Sequence, residues 1–389
     1  MKTVRLGDIC DIVSGGTPSR SKLEFWQNGT IPWIKIGNIK GKYVSEADEF
    51  ITKMGLDGSS AKMLSKGTIL YTIFATLGEV GILDIEACTN QAIAGISIRE
   101  PSKTRSDYLY YYLKSKKNYV NGIGRGVAQN NINVSMLRDF SVPLPTIEQQ
   151  DGIIATLDRV SSVLALRQQQ LSALDDLIKA RFVETFGDML INTKGWPQHR
   201  LDSLADIVSG ITKGRKVKTD ELYEVPYMAV SNVKDGYIDW TTVKTIMATA
   251  GEIDQYRLMP GDVLMTEGGD PDKLGRGAII NEPPKDCIHQ NHIFRVRLNQ
   301  NMLLSIFMVQ YLQQQKAKRY FLGCAKQTTG IASINMRQLS ALPVLVPPMK
   351  KQEEYATFVA RVDKSKVVVQ KALDEAQVLF DSLMQKYFG

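Results

Sequence analysis

Cysteine and histidine are scarce in this chain, and their scarcity removes whole classes of chemistry. Its 389 residues include four cysteines, Cys10, Cys88, Cys287 and Cys324, and no CxxC pair. Spacing this wide argues against a disulfide framework and for reduced, mostly buried thiols in a cytosolic protein. Histidine occurs only at 199, 289 and 292, and a structural zinc site needs a denser ligand set than the stretch CIHQNHI offers. Long apolar runs are missing too. No run of roughly 18 or more uncharged apolar residues occurs, and the start MKTVRLGDICDIV carries Asp8 and Asp11 where a signal peptide needs unbroken apolar sequence. The expectation is a cytoplasmic chain with no membrane segment and no bound metal.

Catalytic signatures are absent as well. A DNA amino-methyltransferase needs an S-adenosylmethionine loop and an Asn/Asp-Pro-Pro-aromatic clamp for the flipped base. The nearest stretch, NEPPKD (281–286), has Glu282 before the prolines and Lys285 in place of the aromatic, so it reads as a loop. GIGRG (122–126) lacks both the GKS/GKT of a phosphate loop and the GxGxxG spacing, and neither GxSxG nor HExxH occurs.

What the chain has is internal repetition. VRLGDICDIVSGGTPS from Val4 returns as HRLDSLADIVSGITKG from His199, IPWIKIGNIKG (31–41) as VPYMAVSNVKDG (225–236), and LSKGTILYT (64–72) as LMPGDVLMT (258–266). TLGEVGIL (76–83) returns as KLGRGAII (273–280), and NINVSMLRDFSVPLPTIEQQ (131–150) as SINMRQLSALPVLVPPMKKQ (333–352). A period this long signals duplication of a whole unit. Each copy reads as an α+β domain followed by a long helix: domains at 1–147 and 188–349, helices at 148–187 and 350–389. GTILYTIF and IAGISI are β-branched, glycine-bounded strand signals. SDYLYYYLKSKK (106–117) and SIFMVQYLQQQK (305–316) read as helices, each led by a serine suited to capping.

The long helices carry heptads. Leu157, Leu164, Leu171 and Ile178 recur every seven residues with Val160 and Leu174 on the second seam line, and Val362, Val369, Ala376 and Leu383 do so beside Leu373 and Phe380. Forty residues at 1.5 Å each make a rod of about 60 Å, longer than one small domain is wide. The two rods offer each other matching stripes, so an antiparallel coiled coil separating the domains is expected. Arg167, Arg181 and Lys366 interrupt the seam and are expected to face solvent or other polypeptides.

Charge is unevenly distributed along the chain. The net is +7, and the domains hold 18 basic against 13 acidic residues and 19 against 16, whereas the first helix holds 4 against 6. Basic globular units suit phosphate neutralisation, and side chains that read bases should accompany them. Three pairs of glycine-punctuated loops recur in equivalent places: GGTPSRSK (15–22) with SGITKGRKVK (209–218), GIGRGVAQNNIN (122–133) with CAKQTTGIASIN (324–335), and KIGNIKGK (35–42) with SNVKDG (231–236). Amides suit adenine and Arg or Lys suits guanine, so Arg20, Gln129, Asn130, Arg215, Lys326 and Gln327 are the base-reading candidates. Lys22, Lys42, Lys218 and Lys234, beside small residues, are the phosphate candidates.

With RLGDICDIVSGGTPS, IPWIKIGNI, TNQAIAGI (89–96), VPLPTIEQQ (142–150) and the second-copy counterparts ending in LVPPMKKQ (345–352), the chain resembles the specificity subunits of type I restriction-modification enzymes over essentially its whole length. The resemblance implies two target recognition domains, each reading one half of a split site in double-stranded DNA. It implies that the paired helices act as spacer and dock two methyltransferase subunits, through which restriction subunits join. Catalysis, with S-adenosylmethionine, ATP and Mg, would belong to those partners and not to this chain. A structural adaptor whose repeated domains bind proteins is the alternative. Divergence between TNQAIAGI and IHQNHIFR (288–295) implies unlike half-sites.

Overall fold

The computed structural model describes residues 3–124, 132–217, 221–269, 274–328 and 331–389. These fall into two compact units, Met1–Gln168 with Gln370–Gly389, and Gln169–Val369. Each unit joins one mixed domain to a portion of both long helices.

In the first unit the strands are β1 (Thr3–Arg5), β2 (Cys10–Ser14), β3 (Ile31–Ile34), β4 (Tyr43–Val44), β5 (Glu49–Ile51), β6 (Ile69–Thr72), β7 (Val80–Leu83), β8 (Cys88–Thr89), β9 (Ile93–Ile98) and β10 (Ser141–Pro143). They form a sheet of order β2-β9-β6-β7-β4, a second of order β5-β3-β8, and the pair β1-β10. β6 and β7 are buried along their whole length, as expected of apolar strands covered on both faces. The second unit has β11 (Gln198–Arg200), β12 (Ala205–Ser209), β13 (Tyr223–Met228), β14 (Lys244–Ala248), β15 (Val263–Thr266), β16 (Gly268–Gly269), β17 (Gly277–Ile279), β18 (Ile288–His289), β19 (Ile293–Leu298), β20 (Lys326–Thr328), β21 (Ile331–Ser333) and β22 (Pro343–Leu345). The order β12-β19-β15-β17 repeats the first four strands of the first unit's five-stranded sheet, β14-β13-β18 and β11-β22 repeat its other two, and the order β16-β21-β20 forms a further small sheet. Duplicated sequence has therefore produced duplicated topology, down to the parallel pairs β3-β8 and β13-β18.

The long helices run Ile147–Phe186 and Met349–Phe388. In the first unit, Ile153 and Leu157 of the first helix share one core with Phe380, Met384 and Phe388 of the second, while Leu164 and Leu383 pack against it half-buried. In the second unit, Ile178, Phe182 and Phe186 share a core with Tyr355, Val359 and Val362, and Leu174 packs against it. The start of each helix thus meets the end of the other, which is antiparallel pairing. Along the second helix Val362, Val369 and Phe380 are buried, while Leu373, like Leu171 of the first, is half-buried. Two of the charged interruptions find partners inside the second unit. Lys366 Nζ lies 2.7 Å from Asp175, and Arg181 pairs with Glu184 at 2.8 Å with its guanidinium 5.4 Å from the Phe358 ring centre.

Glutamine, not serine, secures the short helices. Ser106–Ser115 and Ser305–Leu312 are helical, but their N-caps are Arg105 and Leu304 without a side-chain cap, so the serines stand one position too late for the expected role. Gln150, fully buried on the first long helix, accepts from Arg105 N at 2.9 Å and donates to the carbonyls of Lys103 and Pro145. Gln352 repeats this in the second unit, accepting from Leu304 N at 2.9 Å and donating to Met302 and Pro347. A buried amide with all these bonds made satisfies main-chain groups that the helix start leaves open.

Candidate nucleic-acid interface

Main-chain hydrogen bonds tie described segments of the loops singled out by sequence, and residues next to them, into one row in each unit. In the first unit Gly15 N donates to Ile93 O at 3.0 Å and Gly16 N to Thr89 O at 2.9 Å. Asn90 N donates to Ile34 O, Ile73 N to Ala92 O, and Ile132 N to Ile73 O. The second unit repeats the row with Ile211 N to His289 O, Gln290 N to Met228 O, Glu267 N to His292 O, and Ile334 N to Glu267 O. Glycine is required where the chains approach: a Cβ on Gly15 would lie 2.2 Å from Asn90 O, and one on Gly210 would lie 2.0 Å from His289 O.

Two indoles fix the first glycine loop, with Trp33 Nε1 donating to Gly16 O and Trp26 Nε1 to Ser19 O, both at 3.0 Å. Arg20 is half-exposed. Its guanidinium stacks 3.7 Å from the Trp26 ring centre and pairs with Glu49 at 2.6 Å. The Lys35 ammonium, also at 2.6 Å, and Arg20 hold the Glu49 carboxyl below its ordinary range. Lys22 is exposed, with its ammonium 4.8 Å from the Phe25 ring centre. The third loop pair turns on Asn38 and Asn232, which accept from Lys35 N and Ala229 N at 2.9 Å. Lys234 follows that turn and is half-buried, and Lys326 is exposed on β20. Gln327 pairs through its main chain with Ala332. Gln129, Asn130 and Lys218 lie outside the described residues.

Two of the candidate side chains are already engaged in ion pairs. Lys42 is not a free phosphate ligand: its ammonium sits 2.7 Å from Asp107 and 2.5 Å from Asp158, with only 17% of the side chain exposed. Its charge is spent tying the loop to the first long helix. Arg215 is not free for a base edge either. Nε and Nη2 both bond Glu252, 2.5 Å apart in each case, with 19% of the side chain exposed. Glu252 in turn forms a capping box with Thr249, and its pKa falls to about 2, chiefly through the Arg215 bonds.

Sequence reasoning passed over the residues that form the middle of the row. Asn90, Gln91, Gln290, Asn291 and His292 served only as signs of kinship, yet the amide-rich stretches TNQ and HQN at equivalent places were a usable signal. Glu267, beside them, gave no sequence signal. The other His of this stretch is structural: His289 is buried, its ring nitrogens 3.1 and 3.3 Å from the carbonyls of Tyr256 and Val208, and burial pushes its pKa down to about 4. Burial likewise pushes the Cys10 and Cys287 thiols up to about 12, which suits inert core positions. No described helix is long and apolar enough to cross a membrane.

The family model described as "Type I restriction modification DNA specificity domain" matches residues 1–175 and again 193–376. The two matches together cover most of the chain, and this protein belongs to the family of type I restriction enzyme specificity subunits. It is 27% identical over 252 residues to the MjaIX specificity subunit of Methanocaldococcus jannaschii, covering 60% of this chain but only 58% of that protein. To the EcoKI specificity subunit of Escherichia coli it is 21% identical, covering 98% of this chain and 86% of the relative. The fold is that of the S subunit from M. genitalium, with a TM-score of 0.54 at 16% identity over 100% of this chain and 96% of that one. A chain from a study of assembly and conformational transition in the type I system aligns at 0.59 with 18% identity, covering 100% and 97%.

Proposed function

We propose that this chain is the non-catalytic, sequence-reading subunit of a type I restriction-modification complex and that it recognises a split site in double-stranded DNA. The observation that carries this reading is the duplicated row of main-chain bonds that ties glycine loops to amide-bearing turns in each unit. Side chains on such an edge can read bases while the peptide row beneath keeps their spacing. Arg20, Lys326 and Gln327 are assigned to base edges and Lys22 and Lys234 to phosphates; Gln129, Asn130 and Lys218 keep the roles their sequence suggests.

The two units carry different side chains on the same frame, so the half-sites differ. The long helices act as spacer between them. Exposed apolar side chains on those helices, Leu166 and Val368 among them, support docking of partner chains. Two methyltransferase subunits occupy two similar surfaces and bring S-adenosylmethionine chemistry to an adenine in each half-site. Restriction subunits, with ATP and Mg, join through them.

Selection from randomised duplexes by the chain assembled with its methyltransferase subunit should enrich two short motifs separated by a fixed unread gap. Native mass spectrometry should give two partners per chain, and methyl transfer should require both components. Enrichment of nothing above random sequence refutes the DNA-reading assignment, and transfer by the purified chain alone refutes the non-catalytic one.

A further inference from the structure

The two edges share one backbone but differ sharply at one place. In the first unit Ile73 N donates to Ala92 O at 2.8 Å, and in the second Glu267 N donates to His292 O at 3.0 Å. An aliphatic pair in one copy is a carboxylate and an imidazole in the other. The frame does not demand the polar pair, because the same hydrogen bond forms without it.

The polar pair is built and outward-facing. His292 Nδ1 lies 2.6 Å from Glu267 Oε2, with 55% of the imidazole side chain and 35% of the carboxylate side chain exposed. Glu267 is itself fixed from both sides, since its carbonyl accepts from Ile334 N at 2.9 Å. A carboxylate as close as this accepts a hydrogen bond from Nδ1–H and fixes the ring, leaving Nε2 as the ring nitrogen available to a ligand. Next to Nε2 stands the Asn291 amide nitrogen at 3.5 Å, too far to occupy it fully. Immediately after Glu267 come Gly268 and Gly269, paired with Ser333 and Ala332. An isolated glutamate on a surface that meets phosphates would oppose binding; one whose oxygen is already engaged by a ring can instead orient it.

We propose that His292 is a specificity-determining residue of the second unit and that Glu267 is its positioning residue. Nε2 accepts a hydrogen bond from the exocyclic amine of a base in the major groove, adenine N6 or cytosine N4, at one position of one half-site. This rests on the DNA-reading assignment above. The first unit, with Ala92 and Ile73, makes no such contact, so its half-site lacks the counterpart of that position.

The test is motif selection from randomised duplexes by the full chain with its methyltransferase subunit, comparing wild type with His292→Ala, His292→Gln, Glu267→Ala and Glu267→Gln. Wild type should enrich a split motif. His292→Ala should relax a single position in a single half-site by about tenfold to a hundredfold and leave every other position intact. Glu267→Ala should weaken the same position, and Glu267→Gln, which keeps an oxygen for Nδ1, should restore it. His292→Gln carries the same comparison if the alanine variant fails to fold, and should shift preference at that one position. An unchanged motif in both His292 variants, or an even loss across all positions, overturns the role given to His292. A wild-type complex that enriches nothing overturns the underlying DNA reading, which is a separate result.

Discussion

Replacing Arg215 by methionine separates a structural guanidinium from a reading one. The side chain makes a two-pronged pair with Glu252, and that carboxyl also accepts from Thr249 N at 2.9 Å. With the pair intact the Glu252 pKa falls from 4.5 to about 2, chiefly through Arg215. At about 1.4 kcal/mol per pH unit this difference amounts to an upper value on the order of 3 kcal/mol at neutral pH. About a quarter of the Glu252 side chain is exposed, so screening brings the expected loss to roughly 2 kcal/mol. In a unit of this size that lowers the melting temperature by about 4–8 °C. The sign follows from a depressed carboxylate: the stabilisation is complete above the unfolded value of 4.5 and vanishes as pH falls through about 2. The gap between wild type and Arg215→Met should therefore be full at neutral pH and more than halved near pH 3, by scanning calorimetry on the full chain. Selection on randomised duplexes should yield the wild-type motif. Equal melting temperatures at neutral pH, or a motif altered at one base position, would refute the structural assignment and return Arg215 to the reading set.

Three further outcomes are expected. Gln352→Leu strands the Leu304 amide and two carbonyls in the core of the second unit and should cost about 2–4 kcal/mol in chemical denaturation. Lys22→Ala should weaken all duplexes alike and reduce the slope of log affinity against log salt by about 1, whereas Lys42→Ala should leave that slope unchanged and destabilise the chain by about 1–3 kcal/mol, because Asp107 and Asp158 lose their shared cation. Exchanging residues 188–349 for the matching domain of a relative should change one half of the methylated motif and leave the other as it was, read by methylation-sensitive sequencing.

Architecture was legible because it rests on patterns that repeat. The heptads place Leu157, Ile178, Val362 and Phe380 in helix cores whatever surrounds them, and a duplicated sequence has only to fold once to be understood twice. Side-chain roles were far less legible. A lysine between small residues looks alike whether phosphates or carboxylates face it, and only tertiary structure brings Asp107 and Asp158 to Lys42 or Glu252 to Arg215. The serine caps failed for a similar reason: a glutamine distant in sequence already fills the position. The converging edge itself was half visible, as loops in matching places, but the strand that joins them was taken for a family marker.

The row of bonds along that edge runs from peptide to peptide, and at the rung of Ala92 and His292 the bond itself does not depend on the side chain that stands there. Ala92 and His292 occupy the same rung with the same main-chain bond, whereas Ile73, opposite Ala92, is buried in the core. Substitution at the Ala92/His292 rung changes what is presented without breaking the row of peptide hydrogen bonds beneath it. A lineage under pressure to recognise new sequences can therefore move by single replacements, each tested on an intact scaffold, and the two copies can drift apart in preference while remaining one fold.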